Sequence, residues 1–483
     1  MKIGVVGAGI AGIAAAIRLA AKGHEVTVFE ANAEPGGKLT AFDLDGYRFD
    51  AGPSLFTMPQ YVDALFELAG EKPTDHFRYQ AMETACRYFW RDGTRLSAWA
   101  DKRRFAAEAE QRLGVPATAL LAFLQNSADK YALAGQIFLE KSLHRASTWL
   151  NFRALSAMMR LPFYDIFSSM HRVHERHFAH PKMVQLFDRF ATYNGSDPYK
   201  APGMLTIIPH FEHNVGVFYP EGGMHRITTS LYELSLRLGV QYRFGTPVER
   251  ILTEGQTATG LLAGGVPHAF DRVLSNMDIF YTYKKLLPEA RHPERILNQP
   301  KSSSALIFYW GIRKAFPALD LHNIFFSDDY RAEFQALKQG EIIDDPTVYV
   351  NITSKYTPSD APEGCENWFV MINAPADQGQ DWPALIQRVR GQVIEKMSAV
   401  LGMDIAPLIA CEAVLEPREI ERRTSSHQGA LYGYSSNNLM AAFLRHANFS
   451  GSVRNLYCCG GSVHPGGGIP LCLLSAKIAA EMI

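Results

Sequence analysis

The stretch "KIGVVGAGIAGIAAAIRLAAKGHEVTVFE", residues 2–30, restricts the possible folds of this chain more than any other segment. Gly7, Gly9 and Gly12 stand in the spacing G-x-G-x-x-G. Ile3, Val5 and Val6 before them read as a strand, and Ile10 to Lys22 after them as an Ala-rich helix that stops at Gly23. Glu25–Phe29 reads as a second strand, closed by Glu30. The glycine spacing alone is a weak signal; here the strand before it, the helix behind it and the acid after the next strand all agree. Gly7 makes the tight turn, Gly9 lets a pyrophosphate come against bare backbone, and Gly12 lets helix pack on sheet. The helix start at Ile10 and Ala11 offers N–H groups and a positive dipole end to phosphates, and Glu30 stands where an acid bonds ribose hydroxyls. An α/β, Rossmann-type unit holding an adenine dinucleotide is expected.

Two further segments belong with this unit. The chain ends "LYCCGGSVHPGGGIPLCLLSAKIAAEMI", which reads as a buried strand over 456–459 leading into Gly460 and Gly461. Such glycine density suits a backbone that a ligand must approach closely. Pro470 is placed for the first turn of a helix, and Leu471, Leu473, Leu474, Ile478 and Ala479 make that helix apolar nearly all round, so it should be buried. In mid-chain, Ile227, Leu231, Leu234 and Leu238 line one helical face, Gly239 ends it, and 240–244 and 248–252 read as strands. The segment "FDRVLSNMD", 270–278, reads as a strand returning to the first unit.

Between these pieces, 59–205 is mostly helical by pattern, while "ALIFYWGI", "PTVYVNIT" and "NWFVMINAP" are strand-like and predict a mixed sheet. Residues 382–402 follow as a helix. A net charge of −1 gives no basic field for nucleic acid. No apolar run is long enough to span a membrane, and the N-terminus runs straight into a strand, so a cytoplasmic chain is expected. The six cysteines show no metal or disulfide spacing. Residues 141–182 combine Lys141, Arg145, Arg153, Arg160, Arg172, Arg176 and Lys182 with Trp149, Phe152, Phe163 and Phe167, against only Asp165 and Glu175. This fits either a helix lying in a lipid surface or a lid with a solvated basic face. His171, His174, His177 and His180 recur every third residue, a step that drifts around a helix; no metal is expected, and they read as surface or interfacial histidines.

"EANAEPGGKLTAF", with Gly36, Gly37 and Lys38, "FDAGPS", with Gly52, Pro53 and Ser54, "FYPEGGM" and "HPGGGIP" together resemble the FAD-dependent carotenoid desaturase family, within the amine oxidase superfamily. The resemblance runs along the whole chain. Within the family, "VQLFDRFATYNGSDPYKAPGML" and "GGGIPLCLLSAK" look most like the members that act on 1-hydroxylated carotenoids at C3–C4. Phytoene desaturases often have Pro-Gly-Val where this chain has Pro470-Leu471-Cys472.

The resemblance implies FAD, a discontinuous FAD-binding domain (1–58, 206–290 and 435–483), a largely helical lid or membrane-facing region (59–205) and a sheet-rich substrate domain (291–434). It implies that Val248 offers its backbone to adenine, and that Gly461, Ser462, Gly468, Ile469 and Pro470 lie at the flavin. It implies a long apolar carotenoid as substrate, a membrane lipid surface as its source, peripheral membrane association, and quinone or oxygen as electron acceptor. His464 is a candidate near the flavin, or a turn histidine bonding backbone. Arg189, Tyr193 and Asn194 are candidates for a substrate hydroxyl, or a structural hydrogen-bond cluster. The alternatives are a phytoene desaturase, a flavin amine or porphyrinogen oxidase, and a prenyl-binding carrier without redox chemistry.

Overall fold

Strand Lys2–Val6 lies at the centre of a five-stranded parallel sheet, ordered Leu456–Cys458, Arg272–Ser275, Lys2–Val6, Glu25–Phe29, Gln241–Arg243. This computed structural model describes residues 1–149, 164–438, 441 and 445–483. The first, middle and last parts of the chain therefore share one sheet. Helix Ile10–Ala21 packs against both Ile469–Ala480 and His225–Arg237, burying Ile13, Ile17, Leu231, Leu234, Leu473 and Ala476 in one core. All-round apolarity of the last helix is explained by this placement: eight of its residues, from Ile469 to Ala480, are buried. A three-stranded antiparallel sheet, Val248–Glu254, Thr257–Ala263 and Val266–Ala269, flanks the parallel one.

The second large sheet has seven strands in the order Ile409–Leu415, Ser304–Ile312, Glu366–Ala374, Val348–Asn351, His322–Phe325, Thr84–Phe89, Arg95–Trp99. Only the pairing of His322–Phe325 with Thr84–Phe89 is parallel, so the sheet is mixed. Its two faces divide by the strand period of two. Phe308, Trp310, Trp368, Val370 and Val350 point to one side, under Val389, Val393 and Met397 of helix Trp382–Leu401. Ile307, Phe369, Met371, Tyr349, His322 and Ile324 point to the other and floor a cavity.

The stretch 59–205 holds more strand than its pattern suggests. After helix Gln60–Leu68, Thr84–Phe89 and Arg95–Trp99 extend the edge of the second sheet, and helices resume at Lys102–Leu113, capped by the Asp101 carboxylate on the N–H of Arg103 and Arg104. Helices Ala117–Lys130, Met170–His177 and Pro181–Asp188 follow. Of the basic aromatic stretch, Phe152, Arg153, Arg160 and Phe163 lie outside the described residues. Two π-turns, Tyr131–Gly135 and Phe211–Val215, meet where Tyr131 packs on His210 and Phe211. No helix among the described residues is long and apolar enough to cross a membrane.

The histidine run is only partly at the surface: His171, His177 and His180 are half-buried, but His174 is not exposed at all. The Nδ1 of His174 and that of His171 each lie 2.7 Å from an oxygen of Asp188. The reason is the antiparallel packing of Met170–His177 on Pro181–Asp188, which turns the buried Asp188 toward both rings. Among the described residues no cluster of His, Cys, Asp and Glu could hold a metal ion.

Gly12 is the tightest point of the first unit: a Cβ there would lie 2.1 Å from the Gly7 carbonyl oxygen. Gly12→Ala is expected to push helix from turn, lowering the thermal midpoint of the purified protein by several degrees and its flavin content with it. Unchanged melting and flavin content would contradict this packing.

Candidate active site

The turn after Lys2–Val6 brings the chain into helix Ile10–Ala21 through Gly9, whose position at the helix start has no side-chain cap. The same holds for Gly468 ahead of Ile469–Ala480, where φ is +102°, a value that favours glycine. Helix starts carry four N–H groups with no partner inside the helix. Here two such starts, neither capped by its own glycine N-cap residue, open on one cavity of about 620 Å³. A Cβ on Gly37 would stand 3.3 Å from Gly9 Cα, so these glycines leave room where side chains would fill it. Uncapped donors, a positive dipole end and a bare backbone cradle fit the pyrophosphate of a dinucleotide.

Asn276 ties these segments together. Its Oδ1 accepts from Gly12 N–H (3.0 Å) and its Nδ2 donates to the Cys459 carbonyl (3.2 Å), joining the first helix to the last strand. Ser475 Oγ accepts from Gly460 N–H (3.1 Å), and Ser462 Oγ from Ile279 N–H (2.9 Å). Glu30 is buried, with one carboxylate oxygen accepting from Ala8 N–H (2.7 Å) and the other from the backbone and side chain of Asn32 (2.9 and 2.8 Å). Lys38 donates to the carbonyls of Ala430 and Leu431 (3.2 and 2.8 Å), and burial holds its ammonium below the ordinary lysine pKa.

Of the residues expected at the cofactor, Gly7, Gly9, Ile10, Ala11, Glu30, Gly36, Gly37, Lys38, Gly52, Pro53, Ser54, Val248, Gly461, Ser462, Gly468, Ile469 and Pro470 line this cavity. Gly12 does not; its place is against Gly7 and Asn276. His464, Arg189, Tyr193 and Asn194 line the same cavity. His464 lies before a cis peptide bond to Pro465. Burial pushes its imidazole down to about 4, so the neutral ring donates from Nε2 to the Lys141 carbonyl at 2.8 Å.

Arg189 and Tyr193 form a buried network with two residues the sequence reading did not single out, Tyr88 and Glu212. Arg189 donates to Tyr193 OH (2.6 Å), Tyr88 OH (3.0 Å) and Glu212 Oε1 (3.4 Å), and Tyr193 OH donates to Glu212 Oε2 (2.6 Å). Burial works against the guanidinium charge, but Tyr193, Tyr88 and Glu212 more than offset it. Asn194 Oδ1 stays buried without a partner. Arg445 was also missed: its buried guanidinium donates to the carbonyls of Tyr432 (2.7 Å), Tyr434 (2.8 Å) and Gly461 (3.3 Å) and to Ser436 Oγ (3.3 Å). Burial lowers its pKa to about 10. A lone arginine in "RHANF" between apolar segments was the one available signal.

The family model for flavin-containing amine oxidoreductases matches residues 10–483. The chain belongs to that family. A 1-hydroxycarotenoid 3,4-desaturase of Flavobacterium sp. (strain P99-3) is 51% identical over 480 residues, covering 99% of this chain and 98% of its own length. A phytoene desaturase of Fusarium fujikuroi is 30% identical over 515 residues, covering 99% of this chain and 88% of its own length. A solved oxidoreductase from Methanosarcina mazei superposes with a TM-score of 0.65 at 15% identity, covering 100% of both chains, and shares the fold. As a member of this flavoprotein family the protein takes FAD, and the cradle between the two helix starts has the donors and the open backbone to hold it.

His213, His322, His446 and His464 are all buried and all pushed down to about 4 by that burial. In the unfolded chain they return to the ordinary value near 6.5. Between these values the unfolded state binds more protons, so stability falls as pH drops. The thermal midpoint should be level above pH 7 and fall steadily from pH 6.5 toward 4. A midpoint that holds to pH 5 and falls only below it would assign acid unfolding to carboxylates instead.

Proposed function

We propose that the protein is an FAD-dependent carotenoid desaturase that forms the C3–C4 double bond of a 1-hydroxylated acyclic carotenoid. The near full-length likeness to a desaturase of that name, 51% against 30% for a phytoene desaturase, carries this reading. The cavity supports it. Beyond the glycine cradle it continues between Ile307, Ile324, Phe369, Met371 and Leu415 on the sheet and Phe138, Leu205 and Ile208 on the helical side. That lining suits a long hydrocarbon, whose transfer from water is favourable in proportion to the apolar area it buries.

Bound FAD would supply the acceptor for the two hydrogens removed, a hydride from one allylic carbon and a proton from its neighbour, leaving the new double bond. The protein's part is to lay C3–C4 against the cofactor, exclude water and hold both in register. His464, neutral and donating to the Lys141 carbonyl, positions the segment 136–143 over the cavity rather than accepting a proton at Nε2. The electrons pass on to quinone or oxygen. The substrate is drawn from a lipid surface through peripheral contact; Phe167, 85% exposed beside the basic residues Arg172 and Arg176, suits that contact.

Purified holoprotein given liposome-borne 1-hydroxylated acyclic carotenoid should yield a product two hydrogens lighter with longer-wavelength absorption, and phytoene should be converted far more slowly. Preferred conversion of phytoene would overturn the assignment. His464→Ala should keep its flavin and lose about tenfold in turnover, the scale of one buried hydrogen bond; full turnover would remove His464 from the site.

A further inference from the structure

An apolar substrate cavity has no use for unpaired donors, yet His322 Nε2, Arg189 Nε and the Tyr330 hydroxyl line this one, buried and without a partner. His322 opens strand His322–Phe325, is 3% exposed and lines the cavity, and its Nε2 is buried without a partner. Its other nitrogen fixes the tautomer. Nδ1 lies 3.3 Å from Asn351 Nδ2, which can only donate, and 2.7 Å from Tyr349 OH. Nδ1 is therefore the acceptor, and in the neutral ring that burial enforces the proton sits on Nε2. Tyr349 OH in turn lies 2.8 Å from Ser54 Oγ. Ser54 donates to Tyr349, Tyr349 to His322, and the chain ends on an N–H with nothing to receive it.

A pure hydrocarbon would leave that donor stranded, at a cost every time it bound. A hydroxyl oxygen would accept it. We propose that His322 Nε2 donates to the substrate's tertiary C1 hydroxyl and so selects the hydroxylated carotenoid over the hydrocarbon of the same length. This rests on the substrate class proposed above. Asn194 Oδ1, buried, unpaired and on the same cavity, is the matching acceptor for the hydroxyl proton. The Arg189–Tyr193–Glu212 network engages both terminal nitrogens of Arg189, the hydroxyl of Tyr193 and both oxygens of Glu212; Arg189 Nε is also unpaired, and His322 is preferred because its ring is tied through Tyr349 to Ser54 of the Gly52–Pro53–Ser54 loop.

Substrate geometry agrees. The C1 oxygen is four bonds from C4, so at about 1.5 Å per bond it lies within about 6 Å of the reacting carbons. The groups that bind it must then stand near the cofactor rather than at a distant tunnel end. Ser54, two hydrogen bonds from the His322 ring, belongs to the Gly52–Pro53–Ser54 loop that lines the cavity together with the glycine cradle.

The test compares kcat/KM for the 1-hydroxylated carotenoid and for its non-hydroxylated counterpart, both in liposomes, with wild type, His322→Phe, His322→Gln and Tyr349→Phe holoproteins. Wild type should favour the hydroxylated substrate. His322→Phe should lower that preference about 10- to 100-fold, slowing the hydroxylated substrate and relieving the hydrocarbon of the stranded donor, with flavin content unchanged. His322→Gln, which keeps an N–H donor, should recover much of it, a rescue that a purely structural role would not give. Tyr349→Phe should move the preference the same way by less. An unchanged preference in His322→Phe overturns the proposal; should that variant fail to fold, an unchanged preference in Tyr349→Phe does so. A wild type that does not favour the hydroxylated substrate overturns the substrate assignment itself, a failure seen before any variant is made.

Discussion

The structure depends on the packing of the first helix, Ile10–Ala21, against the last, Ile469–Ala480. Both are small-residue or all-apolar helices with no polar face to give to solvent, so each completes the other's burial. That contact also sets where their starts lie. Two helix N-termini come to one cavity with no cap from their own glycine N-cap residues, and Asn276 bonds the Gly12 N–H and the Cys459 carbonyl between them. An anionic or electron-rich group bound there meets oriented N–H dipoles that need no rearrangement. The chain builds this place from its two ends because a parallel sheet lets distant strands lie side by side at the same edge of the core.

The seven-stranded sheet gives the cavity its second character. One face is closed by helix Trp382–Leu401 over Trp310 and Trp368, which anchors the strands. That fixed backing lets the opposite face carry a mixed lining: aliphatic and aromatic side chains across most of it, and a polar island at the edge formed by Thr84–Phe89 and His322–Phe325. Arg189 and Glu212 bury opposite charges in that island. A buried ion pair is costly to desolvate and is held here by the hydroxyls of Tyr88 and Tyr193. Its value lies in geometry: it locks the helical layer 181–215 against the sheet edge from which His322 projects.

What could be read in the sequence was what depends on local pattern. Glycine spacing, the strand and helix periods on either side and the apolar final helix are short-range signals, and all the residues they nominated for the cofactor except Gly12 line one cavity. Thr84–Phe89 and Arg95–Trp99 pair with each other as a hairpin but escaped because the strand that joins Thr84–Phe89 to the sheet, His322–Phe325, lies far along the chain. His174 was misjudged because its burial depends on Asp188, on the next helix. Glu212 sits in a π-turn, a wider turn that breaks the helical period by which a cavity-facing residue would be recognised. Asn276 acts through backbone groups far away in sequence, and Arg445 through carbonyls of the irregular loops on either side of it, which no spacing rule detects.

The central claim is that FAD held between the chain's ends would be the direct acceptor of hydride from a polyene lying in the sheet-floored cavity. Anaerobic mixing of the holoprotein with the hydroxylated carotenoid tests it most directly. The visible flavin band should bleach at the same rate as the longer-wavelength absorption of the product rises, in equal amounts. Product formed while the flavin band stays intact would contradict the account.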